Sequence, residues 1–87
     1  MKMIIAIVKD ADSDSVTQAL TTAQFRVTRI ASTGGLLRRG VTTLLVGVEE
    51  DQVGPAIQVL HQATAPAAPD EKRATVFVIN VQNFVQV

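Results

Sequence analysis

Four arginines and three glycines fall within one stretch of this chain, Gln24 to Thr43, interleaved with the hydroxyl side chains of Thr28, Ser32, Thr33, Thr42 and Thr43. No acidic residue occurs between Asp14 and Glu49, whereas Arg26, Arg29, Arg38 and Arg39 all lie in that interval. Positive charge, hydroxyl donors and backbone N–H groups exposed at glycine are what a phosphate-bearing ligand needs, provided no carboxylate competes for the cations. The adjacent Gly34 and Gly35 allow a turn and a close approach of ligand to backbone. Arg26 and Thr28, two apart in an extended segment, are expected on the same face of a strand, where they can grip one ligand group together. The same residues also describe a plain hairpin turn with solvated arginines. Spacing alone does not separate the two accounts.

The elements that must position this stretch are legible from periodicity. Met1 to Val8 is an almost unbroken apolar run, which predicts a strand buried on both faces. Asp12 or Ser13 is a candidate helix cap, and Ser15 with Gln18 matches a capping box. Val16, Ala19, Leu20 and Ala23 then follow at the spacing of one apolar helix face, so a first helix is predicted from about Ser13 to Ala23. Phe25 to Ser32 and Val41 to Val48 are rich in β-formers, and the short glycine-containing loop between them predicts an antiparallel hairpin. Asp51 is expected to cap a second helix carrying Val53, Ala56, Ile57 and Leu60, with Gly54 and Pro55 in its first turn. Ala65 to Asp70 is a Pro- and Ala-rich loop, Ala74 to Val81 a last strand, and Gln82 to Val87 a short added strand or a tail packed on a neighbour.

The order β-α-β-β-α-β predicts an α+β, ferredoxin-like fold: two helices on one face of a four-stranded antiparallel sheet, residues 1–87 forming one domain. Apolar residues of both parities in the strands leave the uncovered face to be buried by self-association.

Composition excludes several functions. Eight basic and eight acidic side chains cancel, which argues against a general polyanion binder. There is no cysteine, hence no disulfide framework, thiolate chemistry or cysteine-based zinc site. A strand beginning at Met1 leaves no room for a signal peptide, and no apolar run is long enough to span a bilayer, so a cytoplasmic location without membrane attachment is expected. The single histidine, His61, lacks a second histidine or a cysteine as co-ligand, and a structural or solvent-facing role is expected for it. Asp10, Asp12 and Asp14 have the spacing of a calcium loop, but its sixth and twelfth positions are Ser15 and Thr21, and a capped, solvated loop is expected instead. An enzyme of acylphosphatase type needs a glycine-rich phosphate loop after the first strand, where this chain has Lys9-Asp10-Ala11-Asp12. An RNA-recognition module needs sheet aromatics, and the predicted strands carry only Phe25 and Phe77. No nucleophile–base–acid constellation is evident, and neither enzyme nor nucleic-acid binder is the leading reading.

Taken together, Met1 to Asp10, Phe25 to Thr28, the Ser32-Thr33-Gly34-Gly35-Leu36-Leu37-Arg38-Arg39-Gly40 hairpin, Thr42-Thr43 and Ala74 to Val78 resemble the PII-like cyclic di-AMP receptor family. The resemblance covers nearly the whole chain. It implies a homotrimeric, non-enzymatic signal-transduction protein that uses no cofactor, binds the dinucleotide in clefts between subunits and passes the signal to a downstream protein. Carried over by position, it implies ligand contacts at Gln24, Arg26, Thr28, Gly35, Leu36, Leu37, Val41 and Gly47. The chain departs from the family pattern in having Leu36 for an aromatic, Val41 for an asparagine, Gln24 for an asparagine, and only about ten residues, Thr64 to Arg73, where the family has a long loop. Phosphate grip is thus preserved better than base recognition. The alternative is a PII-like structural or protein-interaction trimer that has lost cyclic di-AMP binding.

Overall fold

A computed structural model describes residues 1–32, 40–66 and 72–87. The elements are β1 (Lys2–Lys9), α1 (Asp10–Thr22), β2 (Val27–Ser32), β3 (Val41–Val48), a 3-10 turn (Glu50–Gln52), α2 (Val53–Ala63) and β4 (Ala74–Asn80). The strands form one antiparallel sheet in the order β2-β3-β1-β4, the ferredoxin-like arrangement expected from the sequence.

Alternation along the two central strands decides which face is covered. Ile4, Ala6 and Val8 of β1 and Leu44, Val46 and Val48 of β3 are buried, and they meet Val16 and Leu20 of α1 and Ala56 and Leu60 of α2. Each large aliphatic side chain so buried stabilises the fold by roughly 1.5–3 kcal/mol relative to exposure. The opposite parity carries Met3, Ile5 and Ile7 on β1, paired in register with Gly47, Leu45 and Thr43 on β3 and with Ile79, Phe77 and Thr75 on β4. Those three β1 residues are only half-buried and Phe77 and Ile79 are exposed, so within one chain β1 is fully buried on one face, not on both.

Two helix starts differ from the sequence reading. Helix α1 begins at Asp10, directly after β1, and Lys9 at its N-cap makes no side-chain capping bond. Neither Asp12, Ser13 nor Ser15 is the cap: Asp10, Asp12 and Ser13 are buried in the opening turns of the helix. The Asp10 N–H donates to the Gly40 carbonyl at 3.0 Å, and the buried Thr42 hydroxyl donates to Asp10 Oδ1, so contacts with the start of β3 set the helix start. Carboxylates in a first helical turn also complement the helix dipole. The expected solvated acidic loop is therefore a buried polar junction, with only Asp14 facing solvent. Helix α2 likewise starts at Val53 after the 3-10 turn, and Asp51 lies inside that turn without capping the helix. Edge strand β2 carries a bulge between Arg29 and Ala31 that leaves Ile30 exposed and disrupts the ladder locally.

Beyond β4 the chain adds no strand. The Val81 N–H donates to the Met1 carbonyl, and Phe84 and Gln86 of the tail line a cavity on the uncovered sheet face with residues of β1, β2 and β3.

Candidate functional site

The path from α1 into β2 is fixed by a tight turn. Ala23, Gln24 and Phe25 donate their backbone N–H groups to the carbonyls of Ala19, Thr21 and Leu20, which closes the helix with a Schellman-type pattern. Such a turn needs one residue in the left-handed region, usually glycine or asparagine; here it is Gln24, with φ 73°, the single non-glycine residue at positive φ among the described residues. Phe25 packs against the core and Arg26 directly precedes β2. Strain at a non-glycine residue is of the kind retained where position matters more than local stability.

Across from this turn β3 ends at Gly47 and Val48, and two cavities open there. One, of about 300 Å³, is lined by Met1, Ala23, Gln24, Phe25, Arg26, Gly47, Val48, Glu49 and Gln52. The other, of about 170 Å³, lies on the uncovered sheet face between Met1, Met3, Arg26, Thr28, Leu45, Gly47, Phe84 and Gln86. Arg26, Gly47 and Met1 border both. Glycine at 47 keeps this junction open by size: a Cβ there would stand 3.2 Å from the Met1 methyl carbon.

Of the eight residues proposed from sequence, Gln24, Arg26, Thr28 and Gly47 thus gather at one end of the sheet, with Arg26 and Thr28 on one cavity wall as the two-residue spacing predicts. Gly35, Leu36 and Leu37 lie outside the described residues. Val41 stands at the other end of β3, opposite Lys9 of β1, exposed and about 20 Å from Gly47 at the rise of a strand. Within one chain Val41 and Arg26 cannot touch the same small ligand.

The arginines also divide. Arg29 reaches back to α1, forming an ion pair with Asp14 at 3.1 Å and donating to the Thr17 hydroxyl at 3.2 Å. It anchors β2 to the helix. Arg26 makes no ion pair among the described residues. Arg38 and Arg39 lie outside the described residues.

Sequence reasoning missed the second half of the lining. Glu49 and Gln52 stand more than twenty positions from Gln24, and only the antiparallel pairing of β2 with β3 brings the chain after β3 beside the turn after α1. Gln82 to Val87 forms no strand, and Phe84 and Gln86 line the second cavity within their own chain. A pattern reader has no signal for either, because neither segment shows periodicity.

The opposite end holds a different set of polar groups. A groove of about 360 Å³ runs between α2 and β4, lined by Ile57, Leu60, His61, Thr64, Lys72, Arg73, Ala74 and Val76. His61 is solvent-exposed, as expected, and its backbone carbonyl accepts from the Thr64 hydroxyl and from Arg73. No group of three or more metal-ligating side chains exists among the described residues. No helix among them is long and apolar enough to cross a membrane.

Comparison with known proteins agrees with this fold. The family model described as cyclic-di-AMP receptor matches residues 1–68. Among solved structures, a protein of unknown function from Pediococcus pentosaceus ATCC 25745 superimposes with a TM-score of 0.77 at 29% identity, over 99% of this chain and 96% of that one.

Proposed function

Because the chain belongs to the cyclic-di-AMP receptor family, a family of receptors and not of enzymes, we propose that it is a PII-like signal-transduction protein, residues 1–87 acting as one domain, that binds cyclic di-AMP between the subunits of a homotrimer. The observation that carries this reading is the convergence of Gln24, Arg26, Thr28 and Gly47 on two adjoining cavities that share Arg26, which has no ion pair among the described residues. Arg26 supplies a charge-assisted donor to a phosphate, Thr28 a hydroxyl to phosphate or ribose, and Gly47 leaves the ligand room.

Intersubunit binding is supported by the separation of the site into two ends. Gln24, Arg26, Thr28 and Gly47 lie about 20 Å along β3 from Val41, the other sequence-proposed contact that the described residues include. A ligand held by both groups takes one from each of two copies. The exposed Phe77 and Ile79 beside half-buried Met3, Ile5 and Ile7 give neighbouring copies an apolar face to cover. Signalling then consists of a shift in loop populations on binding, sensed by a downstream protein in the cytoplasm.

One feature favours the alternative of an interaction trimer without nucleotide: the exposed isopropyl group of Val41 cannot hydrogen-bond a base edge. Calorimetric titration with cyclic di-AMP, ATP and cyclic di-GMP decides between them. Heat with cyclic di-AMP, lost in Arg26→Ala and in Thr28→Ala, is the expected result; no heat with any nucleotide at high concentration overturns the receptor reading. Light scattering is expected to report three copies, and a stable monomer overturns the intersubunit cleft.

A further inference from the structure

We infer that Glu49, assisted by Gln52, is the specificity-determining residue of this site and selects a base bearing an N–H donor at its edge, as adenine does through its exocyclic amino group. The inference rests on the nucleotide reading above and concerns the 300 Å³ cavity at the α1–β2 turn.

That cavity is chemically unlike a plain phosphate site. The sequence around Arg26 is free of acids, yet the fold returns a carboxylate to it: Glu49 lines the same cavity as Arg26. Neither side chain has an ion-pair partner among the described residues, so cation and anion share one cavity without neutralising each other. A purely anionic ligand would be repelled by Glu49. A ligand that presents an anion toward Arg26 and a hydrogen-bond donor toward Glu49 satisfies both.

Size and composition point the same way. About 300 Å³ is at the small end of ligand pockets, enough for one base but not for a whole dinucleotide. Phe25, Met1 and Val48 supply apolar wall, while Gln24 and Gln52 supply amides that can donate and accept along a base edge. Carboxylates accept from exocyclic amino groups of bases, and glutamine amides pair with the adjacent donor and acceptor of adenine. The position is also well held. The Gln52 N–H donates to the Glu49 carbonyl at 2.9 Å, which ties the two residues into one 3-10 turn at the end of β3. A site built to bond a donor discriminates against an analogue that lacks it, because the acceptor is then left without a partner.

The test measures a ratio of affinities. Wild-type protein, Glu49→Ala, Glu49→Gln and Arg26→Ala are titrated calorimetrically with cyclic di-AMP and with the same cyclic dinucleotide of purine riboside, in which hydrogen replaces each amino group. Wild type is expected to prefer the adenine ligand by roughly tenfold or more. Glu49→Ala is expected to bring the two affinities within about threefold of each other, with Glu49→Gln in between. Arg26→Ala is expected to weaken both alike. Equal affinities in wild type, or a preference unchanged in Glu49→Ala, overturn the role of Glu49 while leaving the receptor reading standing. A rise in both affinities at constant ratio in Glu49→Ala means that the carboxylate acts by charge alone, and also overturns it. Absence of binding by either ligand to wild type overturns both proposals at once, and so separates the two failures.

Discussion

Arg29 and Arg26 stand three residues apart, and the fold treats them in opposite ways. Arg29 is tied to Asp14 and Thr17 of α1, while Arg26 faces two cavities with no ion pair among the described residues. The contrast extends to the two ends of the sheet. At the β3 start, buried polar groups of Asp10 and Thr42 are bonded within the chain, and Asp12 Oδ1 accepts from the Ala65 N–H at 3.4 Å. At the β3 end, Gln24, Arg26, Glu49 and Gln52 remain exposed around open space. Among the described residues, Asp10, Asp12 and Thr42 at the first end bond within the chain, whereas Gln24, Arg26, Glu49 and Gln52 at the second line an open cavity.

Substitutions at the two ends should separate stability from binding. The largest effect on stability is expected from Thr42→Val. The hydroxyl is buried and donates to Asp10 Oδ1, and its loss strips a buried carboxylate of a donor, costing about 1–3 kcal/mol. Urea unfolding should show this as a lower midpoint at unchanged slope, with ligand affinity per folded molecule retained. At the other end Arg26→Ala should weaken nucleotide binding by about 1.5–3 kcal/mol, the range of a hydrogen bond to a charged group, and leave the unfolding midpoint within about 0.5 kcal/mol of wild type. If Thr42→Val abolished binding while Arg26→Ala left it intact, the assignment of the two ends would be reversed.

A smaller effect tests the strained turn. Gln24→Gly relieves a left-handed residue and should raise stability by about 0.5–1 kcal/mol, with some of the gain offset by the entropy of glycine in the unfolded chain. The same variant removes an amide from the cavity, so thermal denaturation should improve while calorimetry shows weaker binding. Smallest of all is Arg29→Ala. Both partners of its ion pair are substantially exposed, and double-mutant cycles with Asp14→Ala should give a coupling below about 1 kcal/mol. A coupling several times larger would mean that Arg29 does more than anchor the edge strand.

The sequence was most readable where burial imposes a period. Val16 and Leu20, Ala56 and Leu60, and the alternation through Val41–Val48 gave the helices and strands because each must present one face to the same core. It was least readable at the junctions. Asp10, Asp12 and Ser13 have the composition of a cap, yet they are buried in the opening turns of α1, where Gly40 and Thr42 bond to Asp10. The missed helix start was decided by a contact 30 residues away in sequence, which no local pattern encodes.

What the sequence determined by itself is the fold class, the family, and the pairing of Arg26 with Thr28 on one face, all consequences of local spacing and of a motif that survives translation along the chain. What only the tertiary structure decided is which polar groups are left over. It took Arg29 out of the site by giving it Asp14 and Thr17, set Val41 about 20 Å from Gly47, and added Glu49, Gln52, Phe84 and Gln86 to the lining. The physical reason is that a side chain's availability depends on its neighbours in space. Antiparallel pairing of β2 with β3, and the tail's return to the uncovered sheet face, choose those neighbours from parts of the chain that share no period.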